Sequence, residues 1–390
     1  MQKVKIAIIR KKYTYHGGAE GFSSRFIDLL AAEGHEIHIF AIQWQAEKVN
    51  KNVHFHSVPA ITLVSFLRDL TFAISSYVLL RKQRRYFDII QSHDKTLYQD
   101  IYRAGDGCHI EWLQQRWKRT GLTGKISIIC NPYHWLILWL ERAILRGNRF
   151  RVIIAISDMV KRNIIRHYGV APGKIEVLYN GADLVRFNPE NRGKYRMDIR
   201  ERYGLTEKDF VLLFVGSGFE RKGVKYLLQA VESVTEPVTV MIVGKGTAPF
   251  GSPLVRGEPK GGAFQRRKKI IFCGPQKDIE RYYAAADIFV FPTMYEPFGN
   301  VHLEALASGL PVITTKNSGA AEIIADGEQG FVIDRPEDIA ALSEKVNYFL
   351  QHTDRLESMG RNARKLAEEF SNERHIGKVL ELYERIVSRR

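Results

Sequence analysis

Short apolar runs separated by amphipathic stretches set the rhythm of this chain. Val4 to Ile9, Glu36 to Ala41, Asp88 to Ser92, Ile101 to Ala104, Val152 to Ser157 and Ile175 to Tyr179 lack the in-out alternation of a half-exposed strand. Runs of that kind predict strands covered on both faces. Between them lie segments of helical character, such as Gly21 to Glu33 and Asp158 to His167. A second series starts at Phe210 and continues through Met241 to Val243, Ile270 to Cys273, Ile288 to Phe291, Val312 to Thr314 and Gly330 to Ile333. Strand and helix in alternation predict an α/β protein with parallel sheets. Phe187 to Gly193 holds Asn and Pro without apolar periodicity, which places a linker there and divides the chain into domains 1–188 and 189–371. No internal repeat of fixed period is visible.

Composition fits two globular domains: 390 residues exceed one ordinary core, and 45% of them are hydrophobic. Cys108, Cys130 and Cys273 stand far apart, with neither metal-ligand spacing nor an even count. Neither a disulfide framework nor a zinc site is therefore suggested, and a reducing cytosol is expected. Met1-Gln2-Lys3 runs straight into the first apolar strand, which is too short for the apolar core of an export signal.

Charge is uneven. Residues 1–190 hold 28 Lys and Arg against 16 Asp and Glu, a net of +12, whereas the rest of the chain is only +3. Such a field suits nucleic acid, an anionic membrane or a phosphorylated glycan. Nucleic acid is disfavoured, because no zinc-finger spacing, recognition helix or basic zipper is present. Ile61 to Leu80 is apolar around a central Arg68-Asp69 pair and ends in Arg81-Lys82-Gln83-Arg84-Arg85. The central charges argue against a spanning helix and leave core packing ahead of an interfacial one. Trp112, Trp117, Trp135 and Trp139 alternate with Arg116, Lys118, Arg119, Arg142, Arg146, Arg149 and Arg151, a mixture that suits lipid headgroups as well as a packed helix.

The richest stretch is Tyr295-Glu296-Pro297-Phe298-Gly299-Asn300-Val301-His302-Leu303-Glu304. Asp287 to Pro292 reads as a buried strand and Val301 to Ser308 as a helix, so Glu296 lies in the strand-to-helix loop and Glu304 within the helix. In an open parallel sheet that loop sits at the carboxyl edge, where ligands bind, and the amides of Phe298, Gly299 and Asn300 open a helix suited to an anion. Alone, the two glutamates are equally well a loop acid and a helix-surface acid.

This stretch resembles the glutamate-seven-glutamate element of the family 4 retaining nucleotide-sugar glycosyltransferases. Other landmarks of that family follow in order: Ile153 to Ser157, Lys174 to Asp183 with Phe187, Phe214-Val215-Gly216 followed by Glu220-Arg221-Lys222-Gly223, and Ser318 to Glu322. Lys12-Tyr13, Gly216-Ser217 and Asp106 bring it nearest to the lipopolysaccharide core heptose glucosyltransferases. The resemblance implies a GT-B fold, with two Rossmann-like doubly wound parallel-sheet domains facing across a cleft. The first would bind the acceptor and be joined by a C-terminal helix, 372–390; the second would bind the nucleotide-sugar donor.

The resemblance also implies roles. Arg221 and Lys222 grip the donor diphosphate. Gly17 and Gly18, in His16-Gly17-Gly18-Ala19-Glu20, let backbone approach the phosphates. Glu296 contacts the transferred sugar beside the amides of Phe298, Gly299 and Asn300, and Glu304 accepts hydrogen bonds from the ribose. Asp106 stands where this branch keeps an aspartate beside the reacting sugar, with Asp100 at the other end of its strand and His109 as runner-up. No Asp-x-Asp triplet occurs, so no metal or other cofactor is expected and side chains must neutralise the leaving diphosphate. The expectation is a cytoplasmic hexosyltransferase, peripheral on the anionic inner membrane face, moving glucose from a UDP-sugar to a lipid-linked or phosphorylated glycan. Alternatives are a same-fold transferase for another surface polysaccharide or glycolipid, and a sugar- or nucleic-acid-binding protein without turnover. Thr247 to Gly262, rich in Gly and Pro where the family has a helix, reads as a loop.

Overall fold

The computed structural model describes residues 3–13, 26–44, 50–147, 149–247 and 268–388. The chain forms two compact units, Met1–Asn180 with Asn372–Arg390, and Gly181–Ser371.

The first unit is built on a seven-stranded parallel sheet in the order β5-β3-β1-β6-β7-β8-β9. Its strands are β1 (Lys5–Ile9), β3 (Glu36–Ala41), β5 (Val53–Ser57), β6 (Ile89–Ser92), β7 (Ile101–Ala104), β8 (Val152–Ala155) and β9 (Ile175–Val177). A two-residue pair, β2 (Lys12–Tyr13) with β4 (Gln43–Trp44), lies beyond β1 and β3. The inner strands are buried residue after residue, as continuous apolar runs require. The last helix, Asn372–Val387, places Ile376, Val379, Leu382 and Tyr383 in the core with Ile6, Ile8 and Ile37. The Tyr383 hydroxyl donates to Gln91 Oε1 at 2.8 Å.

The second unit holds a six-stranded parallel sheet ordered β12-β11-β10-β13-β14-β15. Here β10 is Val211–Val215, β11 Val238–Val243, β12 Lys268–Gly274, β13 Ile288–Phe291, β14 Val312–Thr315 and β15 Gly330–Ile333. In both sheets the order reverses beside the first strand of the unit, the switch point where doubly wound folds bind ligands at the carboxyl ends.

The linker predicted at residues 187–193, and with it the division at 188/189, falls inside the second unit, whose boundary is Asn180/Gly181. Phe187 is buried edge-to-face against Tyr283, and Arg364 Nη1 donates to the carbonyls of Leu184, Phe187 and Ala307. The helix Asn191–Arg202 that follows buries Arg196 and Arg200 beside a single aliphatic residue, Ile199, so it carries no apolar period to read. The helix Ser65–Lys82 buries Phe72, Ala73 and Leu80 and leaves Ile74 and Val78 exposed, so core packing accounts for one of its faces. Its Asp69 is buried but paired with Lys11, at 2.9 Å, and Arg68, at 2.8 Å, and accepts from the Tyr133 hydroxyl. Among the described residues no helix is long and apolar enough to cross a membrane.

Candidate functional site

Strand β13 delivers the chain into a loop stitched down on both sides. Glu296 pairs as an isolated parallel bridge with Ser318: the Glu296 amide donates to the Asn317 carbonyl, and the Gly319 amide donates to that of Glu296. The Phe298 carbonyl accepts from the Ala320 amide and from Ser318 Oγ. The Ser318 to Glu322 landmark thus clamps the glutamate loop. Gly299 then adopts φ 84°, and a Cβ there would lie 2.8 Å from His302 Nδ1 and 2.9 Å from Glu296 Cγ. Only glycine fits without displacing both.

From Gly299 the helix Asn300–Ala307 begins. His302, fully buried, lies with Nδ1 2.9 Å from the Gly299 carbonyl and Nε2 2.8 Å from Thr314 Oγ1. Burial lowers its pKa to about 4, so the ring is neutral near pH 7. A neutral ring that donates from Nδ1 to the carbonyl accepts the Thr314 hydroxyl proton at Nε2, for which the Phe291 carbonyl, 3.1 Å from Thr314 Oγ1, competes. His302 therefore sets the turn that aims Glu296, a role the sequence reading missed; its one signal was a histidine three residues after the turn glycine.

Arg221 and Lys222 end the one-turn helix Phe219–Lys222 that follows β10. The Arg221 carbonyl accepts from the Met294 amide and Thr293 Oγ1, which ties this helix to the loop bearing Glu296. Arg221 Nη1 donates to the Tyr295 carbonyl at 3.1 Å and lies 3.4 Å from Glu296 Oε2, and Lys222 Nζ lies 3.6 Å from the same oxygen. Gly216 leaves the space that the Lys222 chain crosses, since a Cβ there would lie 2.7 Å from Lys222 Cδ. Among the described residues no donor makes a hydrogen bond to Glu296 Oε2, although that oxygen is buried. A buried carboxylate oxygen left so, beside two cations, can accept sugar hydroxyls while the cations face an anion.

Glu304 lies within the helix Asn300–Ala307. Burial raises its carboxyl above the ordinary carboxylate range, and the Tyr283 hydroxyl donates to its Oε2 at 2.9 Å. The second unit thus gathers Arg221, Lys222, Glu296, Gly299 and Asn300, with Glu304 further along the helix. Phe298 is fully buried and offers only backbone to a ligand.

In the first unit, Asp106 follows β7 on the exposed side of a turn. Desolvation opposes its ionisation, but Lys95, Lys11, Arg10 and Arg103 outweigh it and hold the carboxyl below the usual range. Lys11 also lies 3.3 Å from Asp94, and Lys95 3.6 Å from the buried Glu141. Lys11, Asp94 and Lys95 were not singled out from the sequence, although each lies two or three residues beyond the carboxyl end of a strand. Asp100 occupies the opposite end of β7, paired with Arg84 at 3.0 Å and Arg151 at 3.4 Å, and is structural. His109 is paired with His134, and burial lowers its pKa to about 3. Gly17 and Gly18, and the predicted loop at 248–262, lie outside the described residues.

Two parallel-sheet units, with a carboxylate and paired cations at the carboxyl edge of the second, define a transferase of the GT-B class. Family models agree: "Glycosyltransferase Family 4" matches residues 16–186 and "Glycosyl transferases group 1" matches residues 196–366. The chain belongs to the family 4 glycosyltransferases and is related to the lipopolysaccharide core glucosyltransferases. It is 26% identical over 370 residues to lipopolysaccharide glucosyltransferase WaaG of Escherichia coli, covering 93% of this chain and 94% of that protein. It is 34% identical over 245 residues to spore coat protein SA of Bacillus subtilis, covering 60% of this chain and 64% of that protein, just under two thirds of its length. The crystal structure of WaaG, titled a glycosyltransferase involved in lipopolysaccharide biosynthesis, superposes with a TM-score of 0.79 at 24% identity, covering 97% of this chain and 99% of that one.

Proposed function

We propose that this glycosyltransferase moves glucose from UDP-glucose, with retention and without a metal, to a lipid-linked or phosphorylated glycan such as lipopolysaccharide core. The observation that carries this reading is the buried Glu296 Oε2, unbonded and 3.4 and 3.6 Å from Arg221 and Lys222. Lys222 and Arg221 neutralise the departing diphosphate. Glu296 accepts from the sugar hydroxyls, amides of Phe298, Gly299 and Asn300 face sugar and phosphate, and Glu304 accepts from the ribose. The bond from the anomeric carbon to the diphosphate breaks as the acceptor oxygen bonds to the same face. The hydroxyl proton passes to the leaving phosphate oxygen, which removes the need for a separate side-chain base. Asp106 orients the acceptor or a sugar hydroxyl. Charge supplied by side chains in a water-poor site contributes several kcal/mol to such a step, on the order of that from one oxyanion-type donor or more.

The reading includes a cytoplasmic location on the inner membrane face. Leu122, Ile126, Ile129, Trp135 and Trp139 are exposed in consecutive helices, Trp135 by 61%, and Lys125 Nζ lies 5.2 Å from the Trp117 ring centre. Exposed apolar rings beside cations fit an anionic bilayer.

The donor is tested by heat stabilisation and slow hydrolysis across UDP-, ADP- and GDP-sugars in EDTA. UDP-glucose should give the largest response; silence with every donor contradicts the reading. The surface is tested by sedimentation with anionic vesicles at low salt: the wild-type protein should pellet, and Trp135→Ala with Trp139→Ala should pellet far less.

A further inference from the structure

The amino-terminal edge of the first sheet gathers chemistry that sugar transfer does not use. Glu36 opens β3, His38 follows on the same face, and the parallel register sets His54 of β5 beside His38 and His56 beside Phe40. The His38 ring centre lies 4.9 Å from that of His54 and 5.0 Å from that of His56. His38 Nε2 is 2.8 Å from Glu36 Oε1, and His38 Nδ1 is 2.8 Å from His56 Nε2. One ligand atom each from Glu36, His38 and His54 falls within 4.8 Å of the others.

We propose that Glu36, His38 and His54 bind a divalent first-row transition metal ion, with zinc as the reference cation and His56 as the outer partner of His38. Two imidazoles and a carboxylate make a three-ligand set that leaves a fourth position to water, a common arrangement for zinc. Ligand atoms around a tetrahedral zinc lie roughly 3.3 Å apart, given bonds of about 2.0–2.2 Å. The present spacing brackets that value, so turning the exposed His54 side chain is the main adjustment needed.

The outer contact is already in place. Metal-bound imidazoles donate their second ring N–H to a fixed acceptor, and His38 Nδ1 has His56 Nε2 at hydrogen-bond distance. When the metal takes His38 Nε2, the His38 proton sits on Nδ1 and points at His56, whose own proton moves to Nδ1. No proton need leave either neutral ring.

Protonation states also suit a cation. Burial lowers the pKa of both His38 and His56, and the His38 hydrogen bond leads the causes that hold Glu36 at about 2. Metals take imidazole neutral and carboxylate ionised. Lys5 Nζ lies 3.4 Å from Glu36 Oε2 and opposes the ion, and the Tyr86 hydroxyl donates to Oε1 at 2.9 Å, so the metal would take the second lone pair of Oε1, the one that now faces His38 Nε2. The bound ion would tie the outermost strand of the sheet to its neighbour, adding to the ladder hydrogen bonds, the core packing of Val53 and the stacking of His56 on Phe40.

The test uses the full chain without a histidine tag, stripped with EDTA, desalted and titrated with zinc chloride by calorimetry, with cobalt(II) absorbance as a second reading. The expected result is one zinc per chain at micromolar or tighter affinity, and a cobalt ligand-field band. His54→Ala, which alters an exposed side chain, should weaken binding at least tenfold, and His56→Ala should weaken it by roughly ten- to a hundredfold. No saturable binding up to millimolar zinc, or binding that survives His54→Ala unchanged, overturns the proposal.

Discussion

The two ends of strand β13 each carry an acid, and the acids are treated in opposite ways. At the amino end, Asp287 is saturated: Oδ1 accepts from Arg196 at 2.8 Å and Arg192 at 3.3 Å, and Oδ2 accepts from Arg200 at 2.9 Å and the Val211 amide at 2.8 Å. Arg200 is wholly buried and also donates to the carbonyls of Ala285, Thr206, Glu207 and Asp209. At the carboxyl end, Glu296 keeps one buried oxygen without a hydrogen bond beside two cations. Saturation at one end anchors the helix Asn191–Arg202 to the sheet, and the proposed function assigns the open valence at the other to a ligand. Burial alone therefore does not tell these two acids apart, whereas the completeness of their hydrogen bonding does.

The comparison breaks most sharply in stability. Arg200→Ala leaves Asp287 buried and short of a partner and should lower unfolding free energy by about 3–5 kcal/mol, read from urea denaturation. Glu296→Ala should change it by less than about 1 kcal/mol while abolishing most turnover. Equal losses of stability from both substitutions would erase the distinction between the two ends.

A smaller effect concerns acid. The folded-state pKa of His302 is about 4 against an ordinary 6.5, so between those values the unfolded chain binds more protons than the native one. Stability accordingly rises with pH through that window and is lost as pH falls from 6.5 toward 4. His302→Gln should flatten part of that acid limb, measured as unfolding free energy against pH, and should also weaken UDP-glucose binding by loosening the Gly299 turn. An unchanged acid limb would mean that the ring does not titrate as its burial requires.

Much of the sheet was legible because its strands are uninterrupted apolar runs: Glu36–Ala41, Ile101–Ala104, Ile288–Phe291 and Gly330–Ile333 fall where the pattern places them. β5 was missed because Val-His-Phe-His-Ser alternates polar residues along the sheet edge and never forms such a run. The helix Asn191–Arg202 was read partly as linker because Ile199 is its one buried aliphatic residue, and Arg196 and Arg200 are buried by matching Asp287, a pairing invisible until the strand is placed. At the candidate site the charged residues themselves were legible, since Glu296, Arg221 and Lys222 follow strand ends. The parts that position them were not: the His302 hydrogen bonds and the Ser318 clamp join residues that only the fold brings together.

The central claim is that Lys222 serves the diphosphate and Glu296 the sugar. Calorimetric titration of the wild type, Lys222→Ala and Glu296→Gln with UDP and with UDP-glucose, in EDTA, separates the two roles. Lys222→Ala should weaken both ligands alike, by roughly tenfold or more for a lost charge-assisted contact, and Glu296→Gln should weaken UDP-glucose while leaving UDP unchanged. If Glu296→Gln weakened UDP as much as UDP-glucose, or Lys222→Ala left both intact, the assignment would be contradicted.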